Sequence, residues 1–138
     1  MSSTFLSWLV LDSANATSDS PSPSSFTIRL LNPVKNVVSI DLVGFSVAGG
    51  CPPIIYIASR ALGTRVKAQS ATLGERSYFR VVMMPSGNNV VFNNSRVELF
   101  LEPAKDLQEI DIQLLDLQGN PLTSVSQTVM QLEILTLV

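Results

Sequence analysis

Three runs decide the fold: RVELFLEP at residues 96–103, DLQEIDIQLLDL at 106–117 and MQLEILTLV at 130–138. Apolar and polar residues alternate in each of them, as Ile110, Ile112 and Leu114 do with the residues between them. Because successive side chains of a strand point to opposite faces, each run predicts a strand with one core face and one outer face. Gly119-Asn120-Pro121 predicts the turn of a hairpin. Three such strands in sequence predict an antiparallel sheet, and the rest of the chain must supply the opposite wall.

The chain before residue 93 predicts further short strands separated by turns. Polar or proline-rich stretches, among them residues 12–25 and Asn32-Pro33, interrupt the apolar pattern and predict loops or breaks. Residues 59–76 are the least strand-like part and predict either a helical turn or a long loop. The strands are expected at residues 4–11, 26–30, 37–47, 54–58, 78–84 and 90–92. Eight or nine strands without a long helix are the pattern of an all-β sandwich or barrel.

The composition favours a subunit over a free monomer. Of the 138 residues, 46% are hydrophobic and only 14% are charged, against about 25% charged residues in typical soluble domains. A surface with so little charge is expected to be covered in part by a neighbour; the alternative is an ordinary β surface rich in Ser, Thr and Asn. The net charge of −2 gives no bulk attraction to nucleic acid, so no specific nucleic-acid partner is expected.

No pattern in the sequence predicts catalysis, a cofactor or a metal site. The chain has no histidine, which is the commonest general base and metal ligand. Cys51 is the only cysteine and has no basic neighbour in sequence to activate it. Glu109 and Asp111 stand two residues apart on the outer face of a predicted strand, where a solvated face is the expected interpretation. We therefore expect no enzyme. The sequence also predicts no membrane span and no secretion signal.

Charge is distributed unevenly along the chain. The middle is basic, and the part after residue 97 is acidic with Lys105 as its only basic residue. Two interpretations stay open: the two regions attract a second copy or another partner side to side, or they neutralise each other within one fold. The basic residues are Arg60, Arg65, Lys67, Arg76 and Arg80, and the acidic ones are Glu98, Glu102, Asp106, Glu109, Asp111, Asp116 and Glu133.

Two segments resemble a known family. SFTIRL at residues 25–30 followed by NPVKNVVSIDL at 32–42 is similar to the opening of small jelly-roll capsid proteins of double-stranded DNA viruses. Glu102-Pro103, IDIQL at 110–114 and DLQGNPL at 116–122 are similar to the closing part of that family. These are the penton and minor capsid proteins of viruses with double-jelly-roll major capsid proteins. The resemblance covers most of residues 26–138 and is weakest over 59–77, where this chain is shorter than the longer members.

The resemblance implies a single jelly-roll β-sandwich of about eight antiparallel strands that spans residues 1–138. From the residue pattern we expect the N-terminal strand of this domain at residues 4–11 and a polar loop at 12–25, with the main sandwich at 26–138. It also implies a structural protein of an icosahedral virion, standing at a vertex as a pentamer or between the capsomers of the major capsid protein. Its expected partners are further copies of itself and that major capsid protein, after synthesis inside the host cell.

Two groups of residues are predicted to make the subunit contacts. Strand alternation leaves one apolar group outside the core, and basic side chains are expected to meet acidic residues of a neighbour. The apolar group is Phe5, Leu9, Leu11, Leu135 and Leu137, and the basic group is Arg60, Arg65 and Lys67. The alternative function is a carbohydrate- or receptor-binding β-sandwich of a viral spike or adhesin. One Trp and two Tyr provide few aromatic side chains for a sugar platform, which counts against that alternative.

Overall fold

The chain folds into antiparallel strands throughout the part that the structure describes. The structure is a computed structural model, and it describes residues 4–17, 22–63, 66–71, 74–84, 89–91 and 105–137. The one helical element in these described residues is a 3-10 turn at Ser13–Asn15. The strands are β1 (Thr4–Asp12), β2 (Ser25–Gly49), β3 (Ile54–Ala58), β4 (Val66–Ser70), β5 (Gly74–Tyr78), β6 (Arg80–Met83), β7 (Asn89–Val91), β8 (Lys105–Leu115) and β9 (Val125–Leu137). The prediction of an all-β protein is confirmed, and the described residues contain nine strands.

Strand β2 belongs to both groups of strands in the sheet, because its two halves pair with different partners. Its first half pairs with β8, with Phe26 opposite Ile112. Its second half pairs with β9, with Ile40 opposite Ile134, and on the other side with β7. One group of strands therefore runs β1-β9-β2-β7 and the other β2-β8-β3-β6. The two groups share β2 as a curled antiparallel sheet.

The bend of β2 lies where the sequence predicted a break. The register against β8 shifts between Arg29 and Val34 and again between Val34 and Val37. Asn36 adopts the left-handed conformation with φ of 58°, a region that Asn tolerates better than most residues. The prediction that Asn32-Pro33 ends the strand is therefore wrong, because the chain turns the corner while it continues as a strand.

The apolar faces of both strand groups pack into one core. The β1-β9-β2-β7 group contributes inward-facing residues such as Ile40, Leu132 and Ile134, and the β2-β8-β3-β6 group contributes Ile57 and Ile110. Each of these five side chains is at most 1% exposed. Two faces of alternating strands that share one core form a β-sandwich. The predicted sandwich is therefore confirmed, and its jelly-roll topology stays a prediction.

Two local predictions have different outcomes. The described part of residues 59–76 corrects the expected helical turn or long loop, because β4 and β5 pair there as a two-stranded sheet from Val66 opposite Tyr78 to Ser70 opposite Gly74. The turn at Gly119-Asn120-Pro121 is present, with Gly119 at φ of 85°. Its arms pair as a short hairpin, because Leu115 stands opposite Pro121 and the N–H of Leu122 donates to the carbonyl of Leu114 at 3.1 Å, so the predicted hairpin turn is confirmed. Beyond these arms β8 pairs with β2 and β3 while β9 pairs with β1 and β2, so the turn leads the chain from one strand group to the other.

Candidate functional site

Strand β1 forms one end of the sheet and exposes apolar side chains there. In the described residues it pairs with β9 alone, in nine consecutive antiparallel pairs from Thr4 opposite Leu137 to Asp12 opposite Val129. Trp8 is 57% exposed and Val10 is 61% exposed. Both side chains lie on the face opposite the core, because their partners on β9 are Glu133 and Gln131 and not the buried residues between them. We call this surface, made by Leu6, Trp8 and Val10, the β1 outer face.

The structure corrects the face assignment of β1. Leu11 was predicted to lie outside the core, yet it is 1% exposed and stands opposite the buried Met130. Leu9 packs against the same core, opposite Leu132. Both predicted contact residues therefore belong to the inward face: Leu11 is closed to a neighbour, and Leu9 is partly buried. Phe5 shares their alternation but is 60% exposed, because it lies near the end of the strand.

Leu135 and Leu137 do lie on the outer side, as the alternation predicted. They are half-buried, and they stand opposite Leu6 and Thr4 of β1. Directly opposed residues of an antiparallel pair project to the same face. The β1 outer face therefore continues onto β9, where these two leucines widen it beyond the edge strand.

The predicted basic contact group is divided. Lys67 is exposed and its Nζ lies 3.5 Å from Oε1 of Glu75, in the hairpin formed by β4 and β5. Arg60 lies in the turn after β3 and is exposed. Arg65 lies outside the described residues, as does the predicted strand at 96–101. The structure therefore brings Lys67 to a partner within its own hairpin and leaves the proposed contact with a neighbour as a prediction.

Asp111 fastens the turn that follows β3. Its carboxylate accepts hydrogen bonds from the backbone N–H groups of Arg60, at 3.0 and 3.1 Å, and Ala61, at 3.1 Å. It also accepts one from the Ser59 hydroxyl at 3.4 Å, and that hydroxyl accepts from the N–H of the buried Leu62 at 3.1 Å. Charged acceptors make the stronger hydrogen bonds of this kind. Asp111 was predicted to be a solvated surface carboxylate, but it organises a loop.

The other basic side chains of the middle region also meet groups of their own chain. Nη1 of Arg80 lies 2.9 Å from Oδ1 of the buried Asp41. Nη1 of Arg76 donates to the backbone carbonyl of Gln118 at 3.1 Å, in the turn that ends β8. These contacts favour neutralisation within one fold for Arg80, one of the two interpretations that the charge distribution left open.

Two further features mark the surface. A polar groove of about 680 Å³ crosses the outer side of β2, β3 and β8, with Thr27, Glu109 and Gln113 among its lining residues.

At the end of β1, hydrogen bonds from the Gln127 side chain and the backbone N–H of Ala14 hold the pKa of Asp12 below its usual value of 3.8. In the residues described, no cluster of three His, Cys, Asp or Glu side chains has a geometry suited to a metal ion.

Sequence reasoning missed Trp8 and Val10 as the exposed residues of β1. Residues 4–11 are apolar on both faces, so alternation alone does not tell which face is buried. The missing signal is the register with β9, in which the odd-numbered residues of β1 stand opposite the buried even-numbered residues of β9. Once that register is known, the outward positions follow.

Two sequence comparisons give no match. No model of a known family matches the sequence, and no curated protein matches it significantly. Among the described residues, none lie in a helix with the length and hydrophobicity that crossing a bilayer requires.

Proposed function

We propose that this chain is a structural protein of an icosahedral virion, a penton or minor capsid protein with a single jelly-roll fold. The observation that carries the proposal is the strand order. In one group the first strand lies beside the last, which lies beside the second half of β2 and then β7; in the other the first half of β2 lies beside β8, then β3 and β6. With the two halves of β2 counted separately, these seven strands give two groups of four, which supports a jelly roll, an architecture used by capsid subunits, lectins and cupins.

The surface supports a role in assembly over a role in turnover. Trp8 and Val10 expose more than half of their side-chain surface on one edge strand, in a chain with only 14% charged residues. Contiguous exposed apolar side chains mark contact sites on soluble proteins. The cupin alternative requires histidine ligands, and the sequence contains no histidine.

The proposed assembly is a closed ring of copies, with five expected at a vertex. A ring needs a head-to-tail contact in which two different surfaces of the subunit meet. Arg60 and Lys67 remain candidates for one side of that contact, and the acidic residues after residue 105 are candidates for the other. Charged contacts of this kind at a surface weaken as salt rises.

The test is electron microscopy of the purified chain at low and high salt. Rings with five-fold symmetry that dissociate between about 0.05 and 1 M salt support the proposal and its charged contact. Rings that persist at 1 M salt keep the ring but exclude the charged contact as its basis. A monomer at every protein concentration and salt level, with no incorporation when it is mixed with capsids, would contradict the proposal.

A second candidate function is binding of a carbohydrate or receptor through the polar groove on β2, β3 and β8. The groove is lined by hydroxyl, amide and carboxylate groups of the kind that bind sugar hydroxyls. Its aromatic lining residue, Phe26, is only 3% exposed, so the groove offers no aromatic platform. A glycan array with specific hits that Gln113→Ala and Thr27→Ala abolish would favour this function over assembly.

A further inference from the structure

We propose that the edge of β1 that has no partner strand in the described residues pairs with β1 of a second copy, so that two molecules share one continuous antiparallel sheet about a two-fold axis. This contact does not rest on the proposed function. A two-fold pairing uses the same surface on both molecules, whereas a ring uses two different surfaces. The two contacts are therefore separate and can fail independently.

The backbone of β1 is the first part of the evidence. In the described residues β1 pairs on one side only, with β9, and the nine pairs from Thr4 to Asp12 run without a register shift. A strand at the edge of a sheet presents unpaired N–H and C=O groups to any strand that adds there. Natural edge strands are usually protected by a lysine, a proline, a bulge or a short length. β1 has nine residues and none of these devices.

The side chains of β1 indicate a second copy as the occupant. Residues 4–11 carry no charge, and the first charged residue, Asp12, is held at the end of the strand by Gln127. β1 itself therefore offers no opposite charge to a strongly acidic or basic peptide; Glu133, opposite Trp8, lies one strand further in on β9. A copy of β1 brings the same uncharged edge, so no like charges face each other.

The register follows from the length of the strand. Opposed residues of an antiparallel pair share a face, and full overlap of Thr4–Asp12 with its copy centres the axis on Trp8. Trp8 then stands opposite Trp8 of the second copy, and Leu6 stands opposite Val10 in both directions. The β1 outer face becomes one apolar surface that crosses the contact. Cross-strand aromatic and aliphatic pairs of this kind stabilise antiparallel sheets.

The oligomeric state of charge variants provides the first test. In a chain with Arg60→Ala and Lys67→Ala, which removes the basic side of the proposed ring contact, sedimentation is expected to show a dimer. Adding Trp8→Lys or Trp8→Glu is expected to weaken this dimer at least tenfold, because like charges then oppose each other. An equimolar mixture of the two variants should recover the dimer. Leu31→Lys is the matched control, because Leu31 is a 95% exposed leucine on β2, and its dimer should be unchanged.

Cysteine cross-linking tests the register without adding charge. In a Cys51→Ser background, chains with Leu6→Cys mixed with chains with Val10→Cys should cross-link on mild oxidation. Each variant alone should cross-link at least tenfold less, because residues 6 and 6, or 10 and 10, of the two copies then lie four positions apart, about 13 Å. Circular dichroism establishes that each variant keeps its β structure.

Each result decides the proposal. A dimer that is lost in both single-charge variants, recovered on mixing and cross-linked only in the 6 and 10 mixture supports it. A monomer at all concentrations, a dimer that persists in Trp8→Lys, or equal cross-linking in the single variants and the mixture overturns it. Five-fold rings that form with the Trp8→Lys chain would leave the proposed function intact while they separate the ring contact from this edge.

Discussion

Arg80 and Asp41 form an ion pair between β6 and β2, two strands that are not neighbours in the sheet. Nη1 of Arg80 lies 2.9 Å from Oδ1 of Asp41, and the side chains are 22% and 4% exposed. A charge this far from water is costly unless a partner compensates it. The pair therefore connects the two strand groups, and each charge compensates the burial of the other.

Replacing one member of this pair is expected to destabilise the fold. Arg80→Met leaves the Asp41 carboxylate buried without its ion-pair partner, and we expect a loss of about 3–5 kcal/mol in the free energy of unfolding. The double variant Asp41→Leu/Arg80→Met removes both charges and should recover most of that loss. The measurement is urea denaturation followed by circular dichroism.

The exposed pair Lys67 and Glu75 provides the control. Its side chains are 71% and 50% exposed, so water already solvates both charges. Lys67→Met should change the free energy of unfolding by less than about 1 kcal/mol. Equal losses for Arg80→Met and Lys67→Met would contradict the view that burial makes the Arg80 pair important.

Asp111 is expected to matter for stability although it lies on the outward side of β8. Asp111→Ala removes the acceptor of two backbone N–H groups and of the Ser59 hydroxyl, and we expect a loss of about 2–3 kcal/mol. Glu109→Ala is the matched control, two residues earlier on the same face, and should stay within about 0.5 kcal/mol. Hydrogen exchange at Arg60 and Ala61 should accelerate in the first variant alone.

The strands with clear alternation could be predicted from the sequence. β3 was expected at residues 54–58 and lies there, and the buried residues Ile110, Ile112 and Leu114 of β8 were placed on the correct face. Alternation is a local property, so it gives strands and faces without knowledge of their partners. β8 and β9 follow each other in sequence but do not pair in the described residues, and alternation contains no information on that.

The candidate contact surface was harder to predict for the same reason. On β1 both faces are apolar, so its pairing with β9, and not its own composition, decides that Leu11 is buried and Trp8 exposed. The basic residues presented a similar difficulty, since nothing along the sequence pairs Arg80 with Asp41, 39 positions away. Long-range register and ion pairing are tertiary properties, and they decide which predicted residues reach the surface.

Gly49 is expected to tolerate no side chain. Its φ is 95°, and a Cβ there would collide with the backbone carbonyl oxygen of Ser124. That oxygen cannot move aside unless the start of β9 moves with it. Gly74 is the matched control, since its φ is 75° but a Cβ would meet nothing within 4 Å. Gly74→Ala should cost about 1–2 kcal/mol for the backbone alone, and Gly49→Ala about 1–3 kcal/mol more. Equal thermal midpoints of the two variants would contradict this difference.

Asp12 is expected to make the end of β1 sensitive to acid. Hydrogen bonds from Gln127 and Ala14 favour its ionised form and hold its pKa below the usual 3.8. A lowered pKa in the folded state contributes stability above the ordinary carboxyl range, and this contribution is lost as pH falls below about 4 through the folded-state pKa. The difference in unfolding free energy between the native chain and Asp12→Asn should therefore be larger at pH 7 than at pH 2–3. Gln127→Ala, which removes the stronger cause of the lowered pKa, should reduce that pH dependence. A difference between the native chain and Asp12→Asn that is the same at both pH values would show that the Asp12 charge contributes nothing to the free energy of unfolding.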